Sequence, residues 1–240
     1  MKKIILSLAI LTAALAGRAQ NKAFVNDANA QQRTLSGSFN AIKVSGGIDL
    51  YLSQFDTESI AVSASEDKYK DHIKTVVENN TLKIYYEGDK LWSGGNKKLK
   101  VYVSFKNLER LQVSGASDVQ VAGTINVPSL ALDMSGASDF KGAVKVNDLK
   151  LELSGASDAT ISGVTNFINI HSSGASDFKG YDLVTDVCNA KASGASDIHI
   201  TVNKEISADA SGASDISYKG SAVIKDQRSS GASSIGRKGK

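Results

Sequence analysis

A five-residue phrase, Ser-Gly-Ala-Ser-Asp, constrains the fold of this chain more than any other feature. It begins at Ser114, Ser135, Ser154, Ser173, Ser193 and Ser211, and a variant ending in Ser begins at Ser230. The steps between copies are 21, 19, 19, 20, 18 and 19 residues. The flanks hold register with the phrase, which low-complexity disorder would not produce. Three places before the first Ser stand Leu111, Leu132, Leu151, Ile170, Ala190, Ala208 and Gln227, and one place before it Val113, Met134, Leu153, Ser172, Ala192, Ala210 and Ser229. Between these two columns lie Gln112, Asp133, Glu152, His171, Lys191, Asp209 and Arg228. Five places after the first Ser come Val119, Phe140, Ala159, Phe178, Ile198, Ile216 and Ile235. Period-two alternation on both sides of a polar phrase predicts strands with one buried face.

A unit of this length cannot bury its own apolar face, but stacked units can. The expected architecture is therefore all-β: a right-handed parallel β-helix of about 19 residues per turn, with strands about 4.8 Å apart along the stack. A propeller blade needs about twice this period, and a leucine-rich repeat needs a Leu/Asn pattern that the chain lacks. In the last copy Gln227 and Ser229 take core positions and Ser234 takes the Asp place, which predicts a polar final turn that discourages strand addition. The lone cysteine, Cys188, aligns with Leu130, Leu149, Ile168 and Ile206, so it is expected as a buried small hydrophobe with no nucleophilic role.

The front of the chain carries different signals. Lys2 and Lys3, the apolar stretch Ile4 to Leu15, and small residues at Gly17 and Ala19 predict a signal peptide over residues 1–19. The apolar stretch is shorter than the roughly 20 residues that span a bilayer, and no later stretch suggests membrane insertion after cleavage. Export is expected, to the periplasm, the outer surface or the medium. The formal net charge of +3 resides in Lys2, Lys3 and Arg18, so the mature chain is neutral. Apart from the tail at 236–240 it has no basic run of the kind phosphate backbones require, which argues against nucleic acid as a partner.

Residues 20–34 are polar and expected as a flexible lead. Residues 35–240 form one β-helix domain: an N-terminal turn, an insertion of about 53–110 and regular turns over 111–237. The first turn is announced by IKVSGGIDLYL at 42–52, a degenerate copy of the phrase. Within the insertion, TVVENNTLKIYYEG predicts a β-hairpin turning at Asn79-Asn80. A Gly-rich loop holds the single tryptophan, Trp92, read either as a partner contact or as packing on the hairpin tyrosines.

VSGGIDLYLSQ at 44–54, NNTLKIYYEG at 79–88, LKVYVSFKNLERLQVSGASD at 99–118 and the recurring SGASD together resemble the auto-transporter adhesin head domains of the GIN family, known mostly from exported proteins of Bacteroidetes-type bacteria. The resemblance covers about 35–237. It implies a β-helix related in shape to pectin lyases and an adhesion role, with no catalytic residues to carry over.

Three readings of SGASD follow from its chemistry. In the first it is a corner: Gly and Ala permit a tight bend, while Ser and Asp bond to backbone amides, and Ser114, Ser135, Ser154, Ser173, Ser193, Ser211 and Ser230 form a ladder. In the second, Asp118, Asp139, Asp158, Asp177, Asp197 and Asp215, with Asp49 if it packs in line, offer oxygens to Ca²⁺. Stacked carboxylates repel by about 1 kcal/mol per neighbour in water and need compensation. In the third the chain is a pectin-lyase-like, polysaccharide-active enzyme. Catalytic sites are irregular clusters, whereas these acids repeat identically. His72, His171 and His199 show no metal or triad spacing. The corner reading is preferred. No cofactor is required, and the expected function is a non-enzymatic, adhesin-like module presenting a repetitive face to cell-surface glycan or protein. The alternatives are the polysaccharide-active enzyme and a Ca-stabilised scaffold.

Overall fold

The computed structural model describes residues 27–88 and 97–239. Residues 1–19, expected as a signal peptide, and Trp92 lie outside the described residues. The regular part is a parallel β-solenoid. Strands β8 (Arg110–Val113) and β9 (Asp118–Asn126) flank the first complete SGASD corner, β10 (Ser129–Met134) leads into the second, and β11 (Asp139–Leu153), β12 (Asp158–Ser172), β13 (Asp177–Ala192) and β14 (Asp197–Gly212) each run from one corner to the next. The coil closes with β15 (Asp215–Lys219), β16 (Val223–Gly231) and β17 (Ser234–Arg237). Pairing is parallel throughout, and equivalent repeat positions stack: Leu132 on Leu111, Leu151 on Leu132, Ile170 on Leu151, Ala190 on Ile170.

The interior is continuous and apolar. Volume is conserved between neighbouring turns. Phe140 and Phe178 are each followed two residues later by glycine, and a Cβ on Gly180 would lie 2.4 Å from the Phe178 ring. The turn between them carries Ala159 and Ile161 instead, both buried. Large-then-small alternates with small-then-large, which keeps the lumen filled. Cys188 is fully buried in its column, and burial pushes its thiol up to about 12. Ser172 breaks the apolar column without cost, because its buried hydroxyl donates to the Ser176 carbonyl at 2.9 Å.

The N-terminal end departs from sequential stacking. Strands β2 (Ala41–Val44) and β3 (Asp49–Gln54) pair in parallel with β8 and β9, as the SGGID copy predicts. Their other edges are occupied by later residues: β6 (Thr81–Tyr86) pairs with β2, and β7 (Lys100–Phe105) with β3, again in parallel. The insertion is thus mostly a further turn laid beneath the first. Antiparallel strands then end the stack: β5 (Ile73–Glu78) on β6 and β4 (Ser59–Ser63) on β7. The β5–β6 hairpin turns at Asn79 and Asn80, with φ of 49° and 57°, the left-handed pair that a two-residue turn demands. A short helix, α1 (Asp67–Lys70), joins β4 to β5.

The lead is not loose throughout. Gln31–Arg33 forms β1, antiparallel to β4. The Tyr102 hydroxyl donates to Asp27 at 2.8 Å and the Arg33 guanidinium to the Lys70 carbonyl at 3.2 Å. An extended polar segment satisfies an exposed sheet edge as well as an apolar one, since backbone bonds do the work.

Candidate binding face

The SGASD corner is built from backbone outward. Its glycine has φ near +80° in every copy, for example 84° at Gly136 and 79° at Gly155, a region that costs other residues dearly. Stacking adds a second demand. A Cβ on Gly155 would sit 2.6 Å from the Gly136 carbonyl oxygen and one on Gly174 2.5 Å from that of Gly155. The close approach lets the ladder run through the bend: Ala137, Ala156 and Ala175 each donate N–H to the glycine carbonyl one turn below, at 2.7 Å.

The phrase's two serines have different roles. The second (Ser117, Ser138, Ser157, Ser176, Ser196 and Ser214) is fully buried. In four of these six the hydroxyl donates to the first serine's carbonyl: Ser138 to Ser135 and Ser157 to Ser154 at 2.9 Å, Ser196 to Ser193 at 2.6 Å, Ser214 to Ser211 at 2.8 Å. The first serine is the weaker partner, with Ser154 and Ser173 reaching the carbonyls of the turn below at 3.2 and 3.3 Å. The ladder at Ser114, Ser135, Ser154, Ser173, Ser193, Ser211 and Ser230 thus exists, but the residue closing the corner is the one three places later. Parity could have shown it: Ser117 lies two residues before Val119 and shares its inward face.

The aspartates do form one column. Asp118, Asp139, Asp158, Asp177, Asp197 and Asp215 pair in unbroken succession, and Asp49 joins below because Leu50 stacks on Val119. Compensation is uneven. Lys179 bridges Asp158 at 2.6 Å and Asp177 at 3.8 Å, and the bond to Asp158 raises the lysine's own pKa. Asp215 accepts the Ser234 amide at 3.0 Å and hydroxyl at 2.6 Å. Lys100 lies next to Asp49, which burial nonetheless pushes above the usual carboxylate range. Asp118 is also raised, first by burial and then by the charges of Asp139 and Asp49. Among the described residues no cluster of three or more His, Cys, Asp or Glu is arranged to hold a metal ion.

The outward column between the two core columns makes the other regular feature. Lys43, Gln112, Asp133, Glu152 and His171 descend from successive turns and line an open groove of about 380 Å³ beside the first serines of the corner. Internal bonds hold the column in shape. Arg110 Nε donates to Asp133 at 2.8 Å and Gln112 to the same carboxylate at 3.3 Å, while Glu152 faces Lys150 at 3.2 Å and His171 at 3.4 Å. Sequence placed His171 on this stripe. Lys43 joins it from the first turn, where it stands between Ile42 and Val44 as Gln112 stands between Leu111 and Val113.

An in-register SGASD solenoid with an SGGID turn under it matches one family over most of its length. Residues 38–222 match the family described as "Putative auto-transporter adhesin, head GIN domain". The chain belongs to this family. It is an adhesin-like β-helix module. Among solved structures it is similar to a putative adhesin from Bacteroides fragilis, with a TM-score of 0.80 at 22% identity, covering 87% of this chain and 95% of that one. A putative adhesin from Parabacteroides merdae gives 0.69 at 18% identity, covering 89% and 98%. A protein from Parabacteroides distasonis described as a putative lipid binding protein gives 0.64 at 21% identity, covering 89% and 98%. At these identities the likeness is one of fold. No curated protein matches the chain. The family match stops at residue 222, one turn short of the solenoid's end.

Proposed function

We propose that this GIN-family module is an exported, non-enzymatic binding protein that engages cell-surface glycan or protein through its outward polar columns. The observation that carries the reading is the groove beside the SGASD corner: open, lined on each regular turn by an outward polar side chain and the first serine, and repeating at the turn spacing. Enclosed apolar pockets suit small molecules. An open ruled face suits an extended polymer or a flat partner, with equivalent weak contacts that gain strength when linked. The similar solved structures described as putative adhesins support this direction, and the signal-like first 19 residues support export.

The enzyme alternative needs an acid and a base converging on one substrate position, whereas the carboxylates of the acid column are strung out one per turn. A glycan array and an envelope pull-down with the mature protein test the proposal, alongside the triple variant Gln112→Ala/Glu152→Ala/His171→Ala. Binding lost in the variant supports the groove. Silence of the wild-type protein in both assays refutes the binding function.

A further inference from the structure

The two ends of the solenoid are finished differently. Antiparallel strands and a helix cover the N-terminal end. At the C-terminal end β16 pairs, among the described residues, with β14 along one edge only, and none of its nine residues is buried. Val223 and Ile224 are 66% and 44% exposed. The polar end turn expected from sequence is present in Gln227 and Ser229, yet the strand is long and its second edge is open, the situation that invites another strand.

We infer that this edge pairs with the same edge of a second copy, about a two-fold axis at Gln227. The first serines of the repeat donate N–H to the turn below, as Ser135 and Ser154 do at 3.0 Å. Ser230 is their equivalent, so by alternation Arg228 and Asp226 also face β14, while Gln227 and Ser229 aim N–H and C=O at the open edge. Two copies crossing antiparallel can then centre on Gln227 or on Asp226. Centring on Asp226 sets the two Asp226 side chains directly opposite each other. Centring on Gln227 makes Gln227 a hydrogen-bonded pair with its copy and sets Asp226 opposite the partner's Arg228, twice, on the outer face. Asp226 and Arg228 already lie 3.0 Å apart within one strand, so the dimer closes a four-charge ring of alternating sign. Lys225, the bulged residue of the strand, is held by Glu205 at 3.3 Å and stays out of that ring. Such an isologous contact closes on itself and does not grow into a fibre.

Sedimentation velocity on the mature chain from micromolar to hundred-micromolar concentration tests the inference. A concentration-dependent dimer is expected. Asp226→Arg and Arg228→Asp each place like charges opposite across the axis and should weaken it about tenfold or more, from two repulsive cross-strand pairs each. The double variant Asp226→Arg/Arg228→Asp restores both pairs and should restore the dimer. These side chains are exposed, so circular dichroism should show all three variants folded. A monomer throughout the range overturns the inference, and so does a dimer indifferent to the single reversals or one that the double reversal fails to restore.

Discussion

The corner glycine supports a prediction whose two components can be measured separately. Gly155 and Gly123 share nearly the same φ, 79° and 81°. They differ in surroundings: a Cβ on Gly123 meets nothing within 4 Å, whereas one on Gly155 would lie 2.6 Å from the Gly136 oxygen and 3.0 Å from its nitrogen. Gly123→Ala should therefore cost only the left-handed conformation, about 1–2 kcal/mol. Gly155→Ala pays that and must also push two turns apart at the bend. It then weakens the 2.7 Å bond from Ala156 to Gly136 and the 3.0 Å bond from Asp158 to Ser138, each worth about 0.5–1.5 kcal/mol. The total is about 2–5 kcal/mol. Urea denaturation followed by circular dichroism reads the difference, with an unchanged slope confirming that the same surface is exposed. Equal losses in the two variants would show that close stacking at the corner contributes nothing, and the account of SGASD given above would be wrong.

Other consequences can be checked alongside it. Ser157→Ala removes a buried hydroxyl and leaves the Ser154 carbonyl without its 2.9 Å partner, so it should destabilise by about 1 kcal/mol, whereas Ser154→Ala should cost less in the same denaturation assay. Asp118 has a raised folded pKa, so its contribution favours the folded state below the ordinary carboxylate range and is lost as pH rises through the folded value. Asp118→Asn should accordingly raise the thermal midpoint at pH 7, and the gain should shrink toward pH 4. If the gain persists at pH 4, charge repulsion is not its source. Cys188 should resist a thiol reagent in the native protein and react on denaturation, because the thiolate is the reactive form and burial disfavours it. Ca²⁺ and a chelator should leave the thermal midpoint unmoved, since among the described residues no three acidic, His or Cys side chains converge on a point where an ion could sit. A chelator-reversible rise would favour the calcium-stabilised scaffold instead.

Where sequence sufficed, one repeat was read against another. The alternation around SGASD identified the core columns residue by residue, down to Cys188, because side chains two apart on a strand must share a face. It placed the aspartates in one file for the same reason. It could not reveal that Thr81–Tyr86 and Lys100–Phe105 pass beneath Ala41–Val44 and Asp49–Gln54, since strand pairing in a parallel stack is set by tertiary fit and carries no local mark. Nor did it give the second serine its due. The chemistry of the phrase predicts serines bonding to backbone amides and does not single out the buried one; a buried hydroxyl is satisfied wherever a carbonyl stands within reach, as the Ser154 carbonyl does for Ser157.

The uneven compensation of the acid column bears on why the repeat keeps its aspartate. The corner is already closed by the glycine approach and the buried serine, and Ser234 replaces Asp in the last copy while its backbone bond to Ser214 remains, at 3.2 Å. The carboxylate is therefore dispensable for the bend itself. At Asp118 it is retained against both burial and two like charges, an arrangement that lowers stability at neutral pH. A side chain kept at such a cost, in register on successive turns, fits a surface that must stay charged and hydrated. That is the property a binding face needs in order to meet a polar polymer without adding strands from its own kind along the flank.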